Sequence, residues 1–325
     1  MNKRPAACVT LRALSRHPLF KPYLALLAVC FFWGTTYLGI RMALETFPPM
    51  TLVCVRFLIS GSIMLLFSWA RGLYLPRGRE LAAACFSGML TLGVGNSALV
   101  FAEQLIPSGI AGLIVTISPF WLVGVEALLP GGERLHAPTI GGMAIGLSGA
   151  ALLFAPDAGA HAFDNRLPAG FLVLQVGSAA WSFGSILQRR QSGKAHPVIA
   201  GGVQQMTAGV VCLPAALLLP HTSIQWSMRG VSAMGYLIVF GSLVGYSAYV
   251  YALDKLPVAI VSVYPYVNAV VAVTLGWLFY RERFGLREAV AMAIIFAGVA
   301  VVKRYSRKPS HPGLSSSRPE PRQPC

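Results

Sequence analysis

Charged side chains are scarce in this 325-residue chain: Asp, Glu, Lys and Arg make up 11% of it, against about 25% in a typical soluble domain. With 55% hydrophobic residues and a mean hydropathy of +0.64, that scarcity excludes an ordinary water-soluble globule and places the chain in a lipid bilayer. Acidic residues are the rarest, 11 against 26 Lys and Arg, giving a net charge of +15. A nucleic-acid partner would explain that balance only if the basic residues clustered on a soluble face. They stand instead at the chain ends and between apolar runs, so no nucleic acid is expected.

Catalytic and cofactor signatures are missing too. There is no H-E-x-x-H, no pair of Asp residues inside apolar runs and no His deep within one, which argues against an intramembrane enzyme. The absence of a Gly-x-x-x-x-Gly-Lys loop argues against direct drive by ATP. The six cysteines, Cys8, Cys30, Cys54, Cys85, Cys212 and Cys325, lack paired metal-ligand spacing, and the four inside apolar runs behave as small buried hydrophobes. No metal, disulfide framework or cofactor is expected. The first apolar run continues through Ile40 without a small-residue cleavage site, so it reads as a retained span and not as a signal peptide.

What the chain does contain is a duplication. GNSALVFAEQLIP, from Gly95 to Pro107, returns as GYSAYVYALDKLP, from Gly245 to Pro257, at an offset of 150. Trp33 matches Trp181, Arg41 matches Arg189 and Gly61 matches Gly209 at offset 148; Glu133-Arg134 matches Glu282-Arg283 and Gly149 matches Gly298 at offset 149. A period this long exceeds the roughly 20–50 residues of solenoid repeats and marks a duplicated domain.

A helix needs about 20 mostly apolar residues to cross a bilayer. The sequence offers ten such spans, at 22–42, 50–70, 81–102, 108–129, 137–155, 168–188, 197–219, 232–253, 258–279 and 286–303. Breaks such as Phe47-Pro48-Pro49 and Pro130-Gly131-Gly132-Glu133 separate them with turn chemistry. Only helices or closed barrels satisfy their backbone in lipid, and runs this long predict an all-α membrane protein. The expected plan is a tail at 1–21, a first repeat at 22–155, a polar linker at 156–167, a second repeat at 168–303 and a disordered basic tail at 304–325.

Counting Lys and Arg on alternate sides of ten spans puts 19 of 26 with the two tails, so both termini are expected in the cytoplasm. Five spans per copy is an odd number, and the second copy then enters the membrane from the opposite side. Inverted repeats of this kind build secondary transporters whose substrate site lies between the halves near the midplane. A receptor or structural subunit is not excluded by the same symmetry.

The stretch FFWGTTYLGIRMALETFPPMTLVCVRFLISG at 31–61, with its Trp-Gly-Thr, Pro-Pro turn and Arg-Phe, and the junctions Gly132-Glu133-Arg134-Leu135 and Arg281-Glu282-Arg283-Phe284 resemble the EamA-type transporters of the drug/metabolite transporter superfamily. The resemblance runs from about residue 22 to 303. It implies two EamA units, ten spans, no enzymatic activity, and secondary transport of a small amino-acid-like or drug-like metabolite. Export follows from the resemblance alone. Arg281 departs from the family's usual Gly, and Ser182 follows Trp181 where the first copy has Gly34.

Several residues are candidates for the transport site. Arg56 lies about 9 Å deep, about six residues into its span at 1.5 Å per residue; it either meets an anionic substrate group or is structural, snorkelling outward or pairing with Glu103. Glu126 either couples transport to protons or sits at the interface. Gln175, Ser178, Ser182 and Ser185, spaced three, four and three apart, share one helical face with Trp181 beside it, and Trp33 shares a face with Thr36. These residues either line a central cavity or allow close helix packing. Asn96 and its counterpart Tyr246, with Tyr264 and Asn268, add polar groups that must point away from lipid. Pro119 and Pro265 are hinge candidates, although helices in lipid tolerate proline without gating. The expected partners are a small-molecule substrate, the bilayer and a coupling proton; the oligomeric state is not legible.

Overall fold

The computed structural model describes residues 20–130, 136–152, 166–190, 195–219, 224–256, 258–261, 263–282 and 284–305. Glu133-Arg134, Lys194, Pro257, Arg283, most of the expected linker and nearly all of both tails lie outside them. The described residues form helices and no strand. They are α1 Phe20–Leu44, α2 Pro49–Ala70, α3 Gly78–Ala102, α4 Ser108–Leu128, α5 Ala137–Leu152, α6 Leu167–Arg190, α7 Pro197–Leu218, α8 Met228–Lys255, α9 Tyr264–Tyr280 and α10 Leu286–Tyr305, with a short turn of helix at Val258–Val261 before α9.

Local chemistry sets several starts. Pro49 and Pro197 open α2 and α7, where a missing N–H costs nothing and a fixed φ suits the first turn. The Ser227 hydroxyl accepts from Gly230 N–H at 3.0 Å and caps α8. Arg281 ends α9 in the left-handed region, at φ 51°, the conformation glycine adopts without penalty. Its side chain there costs about 1 kcal/mol.

Seven helices, α1 to α4 and α6 to α8, are by themselves long and apolar enough to cross a bilayer. α5 has 16 residues and α9 has 17, short of the usual span. α10 has 20 residues but carries Arg287, Glu288, Lys303 and Arg304.

The helices pack across the duplication more than within it. The closest pairs are α2 with α7 and α5 with α10, which are corresponding elements of the two copies. The other main contacts come in matching sets: α1–α8 with α3–α6, α1–α9 with α4–α6, and α2–α8 with α3–α7. Glycine makes the like-with-like crossings possible. A Cβ on Gly61 would stand 2.6 Å from Met206 N, and one on its counterpart Gly209 would stand 2.8 Å from Leu58 N. At the second crossing a Cβ on Gly298 would lie 2.4 Å from Gly146 N and 2.6 Å from Gly142 O. Small residues let helix backbones approach in lipid, where apolar burial against water cannot drive them together.

Two apolar clusters result. One gathers buried residues chiefly of α1, α2 and α8, and the other chiefly of α4, α6 and α10. Within α3 and α8 the windings Met89–Asn96 and Leu237–Tyr246 are π-helical, a rare geometry that is frequent at functional sites. The two segments occupy corresponding positions and end on Asn96 and Tyr246.

Candidate functional site

The two apolar clusters meet around a central cavity of about 80 Å³. Its centre is built from the duplicated residues. Trp33 of α1 packs over Gly245 of α8, where a Cβ would come within 2.5 Å of the indole Nε1; Trp181 of α6 packs over Gly95 of α3, where a Cβ would meet Trp181 at 3.2 Å. Hence the repeated stretch begins with glycine in both copies. The two indoles meet edge to face at 5.4 Å, a favoured aromatic geometry. Tyr264 stands edge-on to Trp33 at 5.2 Å, and Tyr246 lies stacked at 6.4 Å.

Trp33 Nε1 donates to the Gly241 carbonyl at 2.9 Å, inside the π-helical turn of α8. Tyr246 donates its hydroxyl to Gln204 Oε1 at 2.9 Å, and Gln204 Nε2 donates to Gln188 Oε1 at 3.0 Å. The aromatic wall is thereby tied to α7 and α6. Asn96 and Asn268 are both buried at the cavity, and among the described residues neither Oδ1 has a donor. A buried, unmatched amide oxygen costs roughly 1–3 kcal/mol, so two of them at one cavity form a surface ready to accept hydrogen bonds.

Of the sequence candidates, Trp33, Thr36, Asn96, Ser178, Trp181, Tyr246, Tyr264 and Asn268 all line this cavity, and so does Arg56. Arg56 neither snorkels nor pairs with Glu103. It is 3% exposed, and its Nε donates to Ser242 Oγ at 2.8 Å. The expected single polar face on α6 needs correction. Ser178 reaches the cavity, but Gln175 lies away from it and accepts from Trp121 Nε1 at 2.8 Å. Ser185 is buried against the Tyr249 hydroxyl at 2.8 Å, and Ser182 lines a smaller adjoining space. α6 packs on both α3 and α4, so its polar stripe is divided between neighbours.

Pro119 and Pro265 face that same adjoining space, together with Trp181 and Tyr264. Each sits in the first turn of a helical segment that restarts after a break: Ser118–Leu128 within α4, and Tyr264–Tyr280. The break in α4 is marked by bonds from Thr116 N to Leu113 O and from Ile117 N to Ile114 O, both 3.1 Å.

Glu126 stands apart from the cavity, in an ion pair with Arg190 at 2.7 Å with both side chains about one-third exposed. A different carboxylate occupies the interior. Glu103, in the turn after α3, is 3% exposed, and neither of its oxygens has a hydrogen-bond partner among the described residues. Burial holds this carboxyl well above the usual carboxylate range; Arg41 opposes the shift and Glu282 adds to it. Tyr37, a cavity residue, is close enough to sense its charge. Beside it, Glu282 accepts from Ser108 N and Oγ at 3.0 and 2.9 Å and from Gly109 N at 2.9 Å. The carboxylate thus caps α4 of the other copy, as anions do at helix N-termini, with Arg41 at 3.9 Å. Sequence reasoning missed Tyr37, Phe57 and Ser118 in the lining; nothing distinguishes them from neighbours in the same apolar runs.

Comparison with known proteins follows the duplication. The model of the EamA-like transporter family matches twice, at residues 20–155 and 168–304. The chain is 36% identical over 290 residues to the uncharacterized inner membrane transporter YedA of Escherichia coli K12, covering 88% of this chain and 90% of that one. It is 26% identical over 301 residues to a probable terminal-alkyne amino-acid exporter of Streptantibioticus cattleyicolor, covering 91% and 99%. A crystal structure at 24% identity shares the fold with a TM-score of 0.63, over 86% of this chain and 95% of the other.

Proposed function

Since the chain belongs to the EamA-like transporter family and is a multi-pass membrane protein carrying that family's unit twice, we propose that it is a secondary exporter of a small amphipathic metabolite. In this reading ten helices span the cell membrane as two inverted sets of five, with both termini cytoplasmic, and the halves exchange conformations to give alternating access. One observation carries it: corresponding residues of both copies, Trp33 with Trp181 and Asn96 with Tyr246, converge on one cavity. Aromatic walls with a few unfilled polar groups suit a compound with an apolar body and a polar end. The breaks before Pro119 and Pro265 serve as the hinges.

Counterflow in proteoliposomes tests this reading. Vesicles preloaded with a metabolite panel are expected to exchange at least one labelled compound, faster under an imposed pH gradient. No exchange across the panel by folded protein would return the chain to the receptor or subunit reading.

Glu103 carries the proton in this cycle. Glu126 is already neutralised by Arg190 and reaches solvent, whereas Glu103 is buried between Tyr37 and the Arg41–Glu282 pair. Burial raises its pKa, so in this state the carboxyl holds its proton to higher pH than an exposed carboxylate does, and it releases the proton as pH rises or as the Glu103 end of the bundle opens to water. Glu103→Gln keeps the carboxyl's shape and cannot ionise. It is expected to exchange substrate at a rate independent of pH between 6 and 9 and to lose acceleration by the gradient. An unchanged pH profile in that variant would remove Glu103 from the cycle.

A further inference from the structure

We propose that Arg56 is the anion subsite of the cavity, and that the transported compound carries a carboxylate which pairs with its guanidinium. The proposal rests on the cavity being the transport site and names the class of compound it accepts.

Arg56 is charged, because arginine keeps its proton at neutral pH, and it is buried at the cavity wall. Its surroundings hold it without neutralising it. Nε donates to the neutral hydroxyl of Ser242 at 2.8 Å, and the guanidinium lies over the Phe57 ring at 5.0 Å. A Cβ on Gly241 would stand 2.7 Å from Nη2, so the absence of a side chain at that position is what admits the group against α8. Nη1 has no hydrogen-bond partner among the described residues. Among the described residues no Asp or Glu lines the cavity and none forms an ion pair with Arg56.

A purely structural arginine at this depth would be expected to have a counter-charge, since burying an unpaired ion is costly. The geometry leaves that counter-charge to the ligand. A guanidinium edge matches a carboxylate in shape and hydrogen-bonding direction. A doubly charged phosphate would call for a second cation, and the cavity lining contains none. The aromatic wall of Trp33, Trp181 and Tyr264 takes the apolar body, and the free oxygens of Asn96 and Asn268 accept any N–H the compound offers. The position corresponding to Arg56 in the second copy, 148 residues on, is Gln204, which is already bonded to Tyr246 and Gln188. The anion subsite is therefore single although the fold is duplicated.

The test uses full-length protein in detergent and pairs of probes that differ only in charge: 3-phenylpropionate against 3-phenylpropionamide, with phenyl phosphate alongside. Binding is read from quenching of tryptophan fluorescence, since Trp33 and Trp181 line the cavity. The wild-type protein is expected to bind the acid at least tenfold more tightly than the amide or the phosphate. Arg56→Gln should bind acid and amide alike, and Arg56→Lys should retain part of the preference. Equal binding of acid and amide by the wild type overturns the proposal whether or not either variant folds, as does an undiminished acid preference in Arg56→Gln; tighter binding of phenyl phosphate overturns the carboxylate assignment. Failure of transport is separately visible. Arg56-dependent acid binding without counterflow would sink the exporter reading and leave the anion subsite standing. Counterflow of neutral compounds undiminished by Arg56→Gln would do the reverse.

Discussion

Replacing Gly298 by valine is expected to destabilise the protein, lowering its thermal midpoint in detergent by about 4–5 °C and its yield in the membrane accordingly. The added Cβ alone would stand 2.4 Å from Gly146 N and 2.6 Å from Gly142 O. Both are backbone atoms of α5 and cannot rotate out of the way. Overpacking costs about 1–3 kcal/mol where side chains can yield, and this site belongs at the upper end of that range. At about 2.1 cal/mol/K of unfolding entropy per residue, 1 kcal/mol moves the midpoint of this 325-residue chain by about 1.5 °C. The control is Gly124→Ala, where nothing lies within 4 Å of the new Cβ; it should leave the midpoint within about 2 °C of wild type. Equal midpoints for Gly298→Val and wild type would show that α5 and α10 do not cross as closely as described.

The double replacement of Trp181 and Asn96 by alanine should abolish transport while leaving folded protein in the membrane. Trp181 meets Trp33 at 5.4 Å and Tyr249 at 5.6 Å, yet it is only partly buried because one side faces the cavity. Its loss is therefore felt more by a ligand than by the core. An aromatic contact with the bound compound is worth about 0.5–1.5 kcal/mol beyond its buried area, and a hydrogen bond accepted by Asn96 adds about 1 kcal/mol. With the buried area included, roughly 3 kcal/mol corresponds to about a hundredfold loss of affinity. Counterflow at background, with a wild-type elution profile and midpoint, is the expected result. Wild-type counterflow in the double variant would remove both residues from the transport site.

Much of this arrangement was legible before any coordinates, for a geometric reason. Where a duplicated chain folds back on itself, corresponding residues near the symmetry axis must meet or occupy equivalent contacts. Trp33 with Trp181, Gly61 with Gly209, Gly149 with Gly298 and Gly95 with Gly245 could be matched by offset alone, and each set occupies reciprocal places at the cavity or a helix crossing. Other features left no trace. Tyr37, Phe57 and Ser118 lie in helices that are apolar on every side, so periodicity cannot tell a cavity face from a lipid face. The π-helical turns carry no residue signature. Glu103 follows the end of a span, where the sequence suggests only a partner for Arg56, and its isolation depends on which side chains the fold places around it. The polar spacing of α6 does not say how many neighbours share a stripe, and here Ser178 meets the cavity while Gln175, Ser182 and Ser185 meet other partners.

The packing of each helix against the other copy has a consequence for how the protein is made. The first copy emerges from the ribosome with the small-residue faces of α2 and α5 uncovered, because their partners α7 and α10 are still to be synthesised. The N-terminus of α4 likewise waits for Glu282. At about 5–20 residues per second the delay is on the order of ten to thirty seconds, and during it the helices of the first copy have few contacts with one another. The copies are thus repeats in sequence without being independent domains. A chain cut between Leu152 and Leu167 should yield two fragments that mature only when expressed together, and assembly is completed only once α10 has been made.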